Sequence, residues 1–386
     1  MYFDGRCYHD PQMHRRNFLA TPLAAWQLAG AEPEPATDAE PHVYAIGDGL
    51  RFTTAEYAAL LAKLAAGDAV ARDDYSRGGN VEALETRMAA LLGKEAAVWL
   101  PTGTMANHLA VRMLAGDRRR VLVQADSHLY NDCGDCAQTL SNLTLIPLAP
   151  GRATFTLEDV QRAAADAAGG RVLTPIGALQ IETPVRRHQG ERFDFDQMQK
   201  IAAWARTNHV GLHLDGARIF LESVYTGRPI KQYAALFDTV YVSMYKYFNS
   251  AAGAILAGPK TLLADLYHTR RMFGGGLPHV WPYTAVAHHY LEGFEQRFRT
   301  GVETSERVIA ELSHDANFQI ERVPSGTNIF RLRVVNGNAS GFQQRLLAAG
   351  ITAPNPEGDW FAMQVNETWG NMPAGTIVAR IRNARG

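Results

Sequence analysis

The chain has 386 residues, 38 Lys and Arg against 39 Asp and Glu, a formal net charge of −1, and 46% hydrophobic residues. This excludes disordered and fibrous classes, and the length suffices for one large core and a smaller domain. Balanced charge with no Lys/Arg stripe among aromatics excludes a nucleic-acid groove, and no apolar run approaches the roughly 18 to 20 residues that span a bilayer. A soluble protein with a small-molecule ligand is expected.

In chain order, residues 1–40 differ from the rest. His14-Arg15-Arg16-Asn17-Phe18-Leu19 precedes a short apolar stretch to Leu28, then Ala29-Gly30-Ala31 and a Pro/Glu-rich spacer. A basic start, a short apolar run and a small-residue cleavage site have the form of a twin-arginine export signal, with Met13 as the start. The chain is then periplasmic; the alternative is a Pro-rich arm on a cytoplasmic protein. A mature chain keeps only Cys133 and Cys136, spaced C-G-D-C. One such pair without nearby His is a weak zinc signal, so no metal is expected. The two read as plain thiols that an oxidising compartment could pair.

The spacing of Tyr57, Leu60, Leu61 and Leu64 predicts a helix over 54–66, and Asn80 is the expected cap of a second helix that carries Val81, Leu84, Met88 and Leu91 and stops at Gly93. Short apolar strands follow at 96–100, 121–125, 143–148, 178–181, 210–214 and 239–243, with helical stretches such as 105–114, 157–168 and 195–209 between them. This alternation predicts an α/β domain over 41–282 with a mainly parallel sheet covered on both faces. From Tyr283 a long helix leads to strand-like runs at 318–323, 328–334 and 360–365 and a helix at 341–349, a small C-terminal α+β domain over 283–386.

The chain has no G-x-G-x-x-G after a strand, no Walker loop, no H-E-x-x-H and no G-x-S-x-G elbow. What stands out is "HLDGARIF" at the end of one strand and, 31 residues after Asp215, Lys246 after another, "VYVSMYK". A carboxylate that keeps a pyridine nitrogen protonated and a lysine that holds an aldehyde as an imine are what pyridoxal phosphate requires.

"DDYSRGG", "GKEAAVWLPTGTMAN", "ADSHLYND", "HLDGARIF" and "SMYKYFNSAAGAILAG" occur in the order and spacing of the threonine-aldolase/β-eliminating-lyase family, which the chain resembles from about 46 to 336. The resemblance implies the PLP-dependent transferase fold (aspartate-aminotransferase-like, fold type I), pyridoxal 5'-phosphate as cofactor and a homodimer or homotetramer. It implies Lys246, His128 and Asp215 as catalytic residues, and Gly103, Thr104 and Arg218 as further cofactor ligands. Arg218 and Arg186 would hold the carboxylate of an amino acid substrate, with Arg187 an equal alternative to Arg186 and Glu182 a support of the pocket. The implied reaction is cleavage of the Cα–Cβ bond of a β-hydroxy-α-amino acid to glycine and an aldehyde. Alternatives are β-elimination, racemisation or transamination of another amino acid, or a catalytically weak exported binding protein. The chain departs from the family at Gly47-Asp48-Gly49, where threonine aldolases have Ser-Asp-Thr, near Ala362, where a late arginine is missing, and at the bulkier Tyr247-Phe248 after the lysine. These departures lead us to expect a substrate other than threonine.

Overall fold

The computed structural model describes residues 41–335 and 341–386; the twin-arginine segment and spacer lie outside the described residues. Twelve strands occur among them: β1 (Val43–Tyr44), β2 (Ala96–Leu100), β3 (Arg120–Gln124), β4 (Thr144–Leu148), β5 (Ile176–Glu182), β6 (Gly211–Asp215), β7 (Thr239–Ser243), β8 (Ala254–Gly258), β9 (Phe318–Arg322), β10 (Ile329–Val334), β11 (Ile351–Thr352) and β12 (Trp360–Gln364).

Seven form the central sheet in the order β2-β8-β7-β6-β5-β3-β4. All its pairings are parallel except those of β8, which is antiparallel to both neighbours. β8 lies in the "SAAGAILAG" run, where its four apolar residues and a glycine do not announce a separate strand. The strands alternate as a two-faced sheet demands. Leu122, Leu179, Ile181, Leu212, Leu214, Val240 and Val242 join the larger core. On the other face β6 and β7 offer His213, Asp215, Thr239 and Tyr241, where the helix Gly103–Ala115 packs.

A three-stranded antiparallel sheet, β12-β10-β9, has its own core with the helix Ala374–Ala384, and β1 pairs in parallel with β11. The single long helix expected from Tyr283 is two helices, Trp281–Leu291 and Phe294–Ser313, because Gly293 adopts φ 65° between them. Asn80 is not a cap: the second helix starts at Gly79, and Asn80 donates instead to Thr284 Oγ1 at 3.0 Å.

Candidate active site

Parallel strands gather functional side chains at their carboxyl ends. Glu182 and Asp215, the last residues of β5 and β6, lie side by side in register with Tyr241. Asp215 is buried and accepts from Asn107 Nδ2 at 2.6 Å and from the Ala217 N–H at 3.1 Å. Asn107 Oδ1 in turn meets His213 Nε2 at 2.8 Å, and His213 Nδ1 meets Thr239 Oγ1 at 2.9 Å. Burial lowers the His213 imidazole to about 4, so it is neutral at pH 7. An amide oxygen only accepts, so His213 carries its proton on Nε2 and Thr239 donates to Nδ1. Every donor in this buried chain points toward Asp215.

Lys246 lies three residues beyond β7 and is half-buried. Burial and the Arg218 charge pull its ammonium down to about 8, against the pull of Asp215, Asp48 and Glu182. Glu182 is buried and accepts from the backbone N–H groups of His128 at 2.6 Å and Arg186 at 3.0 Å. Burial and the Asp215 charge push its carboxyl up to about 7.

Gly47-Asp48-Gly49, read as a departure, is wired into this site. Arg218 Nε donates to both Asp48 oxygens at 3.0 Å and Nη2 lies 2.7 Å from Oδ2; Gln364 Nε2 adds a donor to Asp48 at 2.7 Å. Burial would raise the Asp48 carboxyl, but Arg218 outweighs it and holds the group below its ordinary range. A Cβ on Gly49 would come within 2.5 Å of the Lys246 carbonyl oxygen, which makes glycine necessary there.

Gly103 and Thr104 open the helix Gly103–Ala115, although its cap is Thr102, whose side chain accepts from the Met105 N–H at 3.1 Å. A Cβ on Gly103 would lie 2.1 Å from Tyr241 Oη. Leu100, which leads into this helix, and Ser243 both pair with Ala254 of β8. Ser243 Oγ is buried without a hydrogen-bond partner among the described residues.

His128 starts the short helix His128–Asn131, 3.4 Å from Asp132 through Nδ1. A hydrogen bond with Cys133 and the charge of Asp215 raise its pKa against the opposing effect of burial. Arg186 and Arg187 do not separate into one ligand and one bystander: both grip Asp132, at 2.6 and 2.7 Å. Tyr247 and Phe248 do not crowd the site. They are fully buried against Phe220 and Phe294, while Tyr245, 48% exposed, lies beside Lys246 with Nζ 5.8 Å from its ring centroid. Asn107, His213 and Ser243 carried no assigned role in the sequence, because only the packing of the helix on the sheet joins them to Asp215 and Lys246.

A low-specificity L-threonine aldolase of Saccharomyces cerevisiae is 28% identical over 232 residues, 60% of this chain and 58% of that protein. The chain thus spans less than two thirds of that relative's length. A Listeria monocytogenes structure bearing the provisional name L-allo-threonine aldolase superposes with a TM-score of 0.73 at 26% identity, over 89% of this chain and 95% of that one. A serine palmitoyltransferase solved with pyridoxal phosphate shares the fold, with a TM-score of 0.62 at 16% identity over 89% and 87% of the two chains. The β-eliminating lyase family profile matches residues 48–334, and this chain belongs to that family.

Proposed function

We propose that this protein is a pyridoxal-phosphate lyase that cleaves the Cα–Cβ bond of a β-hydroxy-α-amino acid to glycine and an aldehyde. The observation that carries the reading is one juxtaposition at the carboxyl ends of β6 and β7. There, a lysine brought down to about 8 feels the charge of a buried carboxylate that Asn107 holds as an acceptor.

The residues fit the cofactor. Lys246 offers the amine, Asp215 the carboxylate for the ring nitrogen, and Gly103, Thr104 and the unpartnered Ser243 Oγ the donors for the phosphate, at the positive end of a 13-residue helix. When bound, pyridoxal phosphate supplies an electron sink for the carbon whose bond is broken. Arg218 presents a cation to the substrate carboxylate, with Asp48 fixing its plane from the Nε and Nη2 side. His128 takes the proton of the β-hydroxyl, and does so above its own pKa; since that pKa is raised from 6.5, the acid limb of the rate profile lies above pH 6.5.

The assay follows glycine together with acetaldehyde from L-threonine and L-allo-threonine, and with benzaldehyde from β-phenylserine. Aldehyde and glycine in equal amounts are expected, with threonine the poorer substrate. Gly47 supplies no hydroxyl where the family has serine, and one lost charge-assisted contact costs about 1.5 to 3 kcal/mol, roughly ten- to over a hundred-fold. An aromatic side chain recovers part of that by burial. Ammonia and a keto acid, or racemised substrate without glycine, would overturn the lyase reading. Threonine turnover equal to that of β-phenylserine would overturn the preference.

We also propose periplasmic export through Arg15-Arg16 and assembly as a homodimer or homotetramer, each supported by the sequence pattern and the family resemblance; native mass in solution tests the assembly.

A further inference from the structure

We propose that Cys133 and Cys136 form a reversible intramolecular disulfide that acts on the cofactor pocket through His128 and Thr104. The formation of the bond stands on its own geometry; its effect on catalysis rests on the function proposed above.

The segment Cys133-Gly134-Asp135-Cys136 is a tight turn. Gly134 has φ 57° and Asp135 φ 52°, two successive left-handed residues, and the Cys136 N–H donates to the Cys133 carbonyl at 3.2 Å. Glycine adopts this conformation freely and aspartate is among the few other residues that tolerate it. A four-residue turn closed in this way holds its end Cα atoms within about 7 Å, and a disulfide spans about 4.4 to 6.8 Å. Cys133 and Cys136 are the free cysteines among the described residues.

Their surroundings differ in a way that sets the order of events. Cys133 is buried and its Sγ–H donates to Thr104 Oγ1 at 3.7 Å; Cys136 is half-buried. The neighbouring Cys133 lowers the Cys136 thiol below its ordinary value, while Cys136 and burial raise that of Cys133. Cys136 is therefore the attacking thiolate. With a small disulfide such as oxidised glutathione, Cys136 Sγ displaces one glutathione thiolate and forms a mixed disulfide. Cys133 then gives up its proton and attacks Cys136 Sγ, which displaces the second thiolate. The protein loses two protons and two electrons, and two glutathione thiols are formed.

The oxidised sulfur has no proton to donate to Thr104 and is a poorer acceptor for His128. Several groups act on that imidazole: Asp132, 3.4 Å away, Cys133, Asp215 and Lys246, with Glu182 on its backbone N–H. The hydrogen bond with Cys133 is the largest upward influence, so its loss returns His128 toward 6.5. Oxidation thus moves the acid limb of the rate profile to lower pH and disturbs the phosphate end of the pocket through Thr104.

The test equilibrates the pyridoxal-phosphate-loaded full chain in glutathione buffers of graded ratio. It reads intact mass, disulfide-mapped peptides, the His128 titration by NMR and the pH profile of aldehyde release. Expected are a loss of two hydrogens, a Cys133–Cys136 crosslinked peptide, reversal by dithiothreitol, and a lower His128 pKa in the oxidised form. Cys136→Ser should lose no hydrogens and keep one His128 titration across the series, and Cys7→Ser should behave as wild type. Two free thiols in fully oxidised glutathione, or a crosslink that leaves the His128 titration unchanged, would overturn the proposal. A shifted His128 in a protein that releases no aldehyde would support it and overturn the lyase assignment instead.

Discussion

Asp215 is buried and met by two donors, and the nearer belongs to a residue itself fixed by a neutral histidine. Asp215→Ala leaves nothing to hold the proton of a cofactor ring nitrogen, and removal of one preorganised charge of this kind costs about 10²- to 10³-fold in kcat. Asp215→Glu should lose much less, and steady-state rates of the two variants with the cofactor spectrum check this; near-normal turnover in the alanine variant would refute the role. Asp215 and Lys246 were legible in the sequence because each sits in a long motif at a strand end. Asn107 lies inside a quoted motif too, but which way a helical amide points depends on the packing of the helix. The pairing of Arg186 and Arg187 with one Asp132 was likewise unreadable, since 54 residues separate Arg186 from that partner.

At the scale of elements, alternation of short apolar runs with helical stretches revealed six of the seven strands of the central sheet, while β8 and the break at Gly293 depended on pairing and on a backbone angle. The helix Ile219–Thr226 shows a cost that the sequence does not display. Glu222 within it is fully buried, accepts from Thr183 Oγ1 at 2.6 Å, and is pushed up to about 7 by burial. A raised carboxyl pKa means that the folded state keeps a proton the unfolded chain has lost. Stability therefore falls as pH rises from 4.5 to about 7, and the cost is fully present above that. Glu222→Gln accepts the same hydrogen bond without the charge. Its stability relative to wild type should grow from pH 5 to pH 8, by at most about 3 kcal/mol. Urea unfolding at the two pH values measures it, and a difference that is flat or shrinks with pH would refute the assignment.

For the whole molecule, the two cores, one around the seven-stranded sheet and one around β9, β10 and β12, were legible as a large α/β and a smaller α+β region. The placement of Gly47-Asp48-Gly49 beside Lys246 was not, because it joins chain segments nearly two hundred residues apart. The proposed export is a property of the full chain. Replacing Arg15 and Arg16 with Lys in a bacterial host should hold folded, cofactor-loaded protein in the cytoplasm. Unchanged fractionation, or a mature N-terminus upstream of Glu32, would argue for a cytoplasmic enzyme.

The central claim is that Lys246 carries the cofactor. Borohydride reduction of the loaded protein, followed by peptide mass spectrometry, tests it most directly. A pyridoxyl group on the peptide that contains Lys246, absent in Lys246→Ala, is the predicted result. A label on a different lysine, or none with cofactor in excess, would contradict the account.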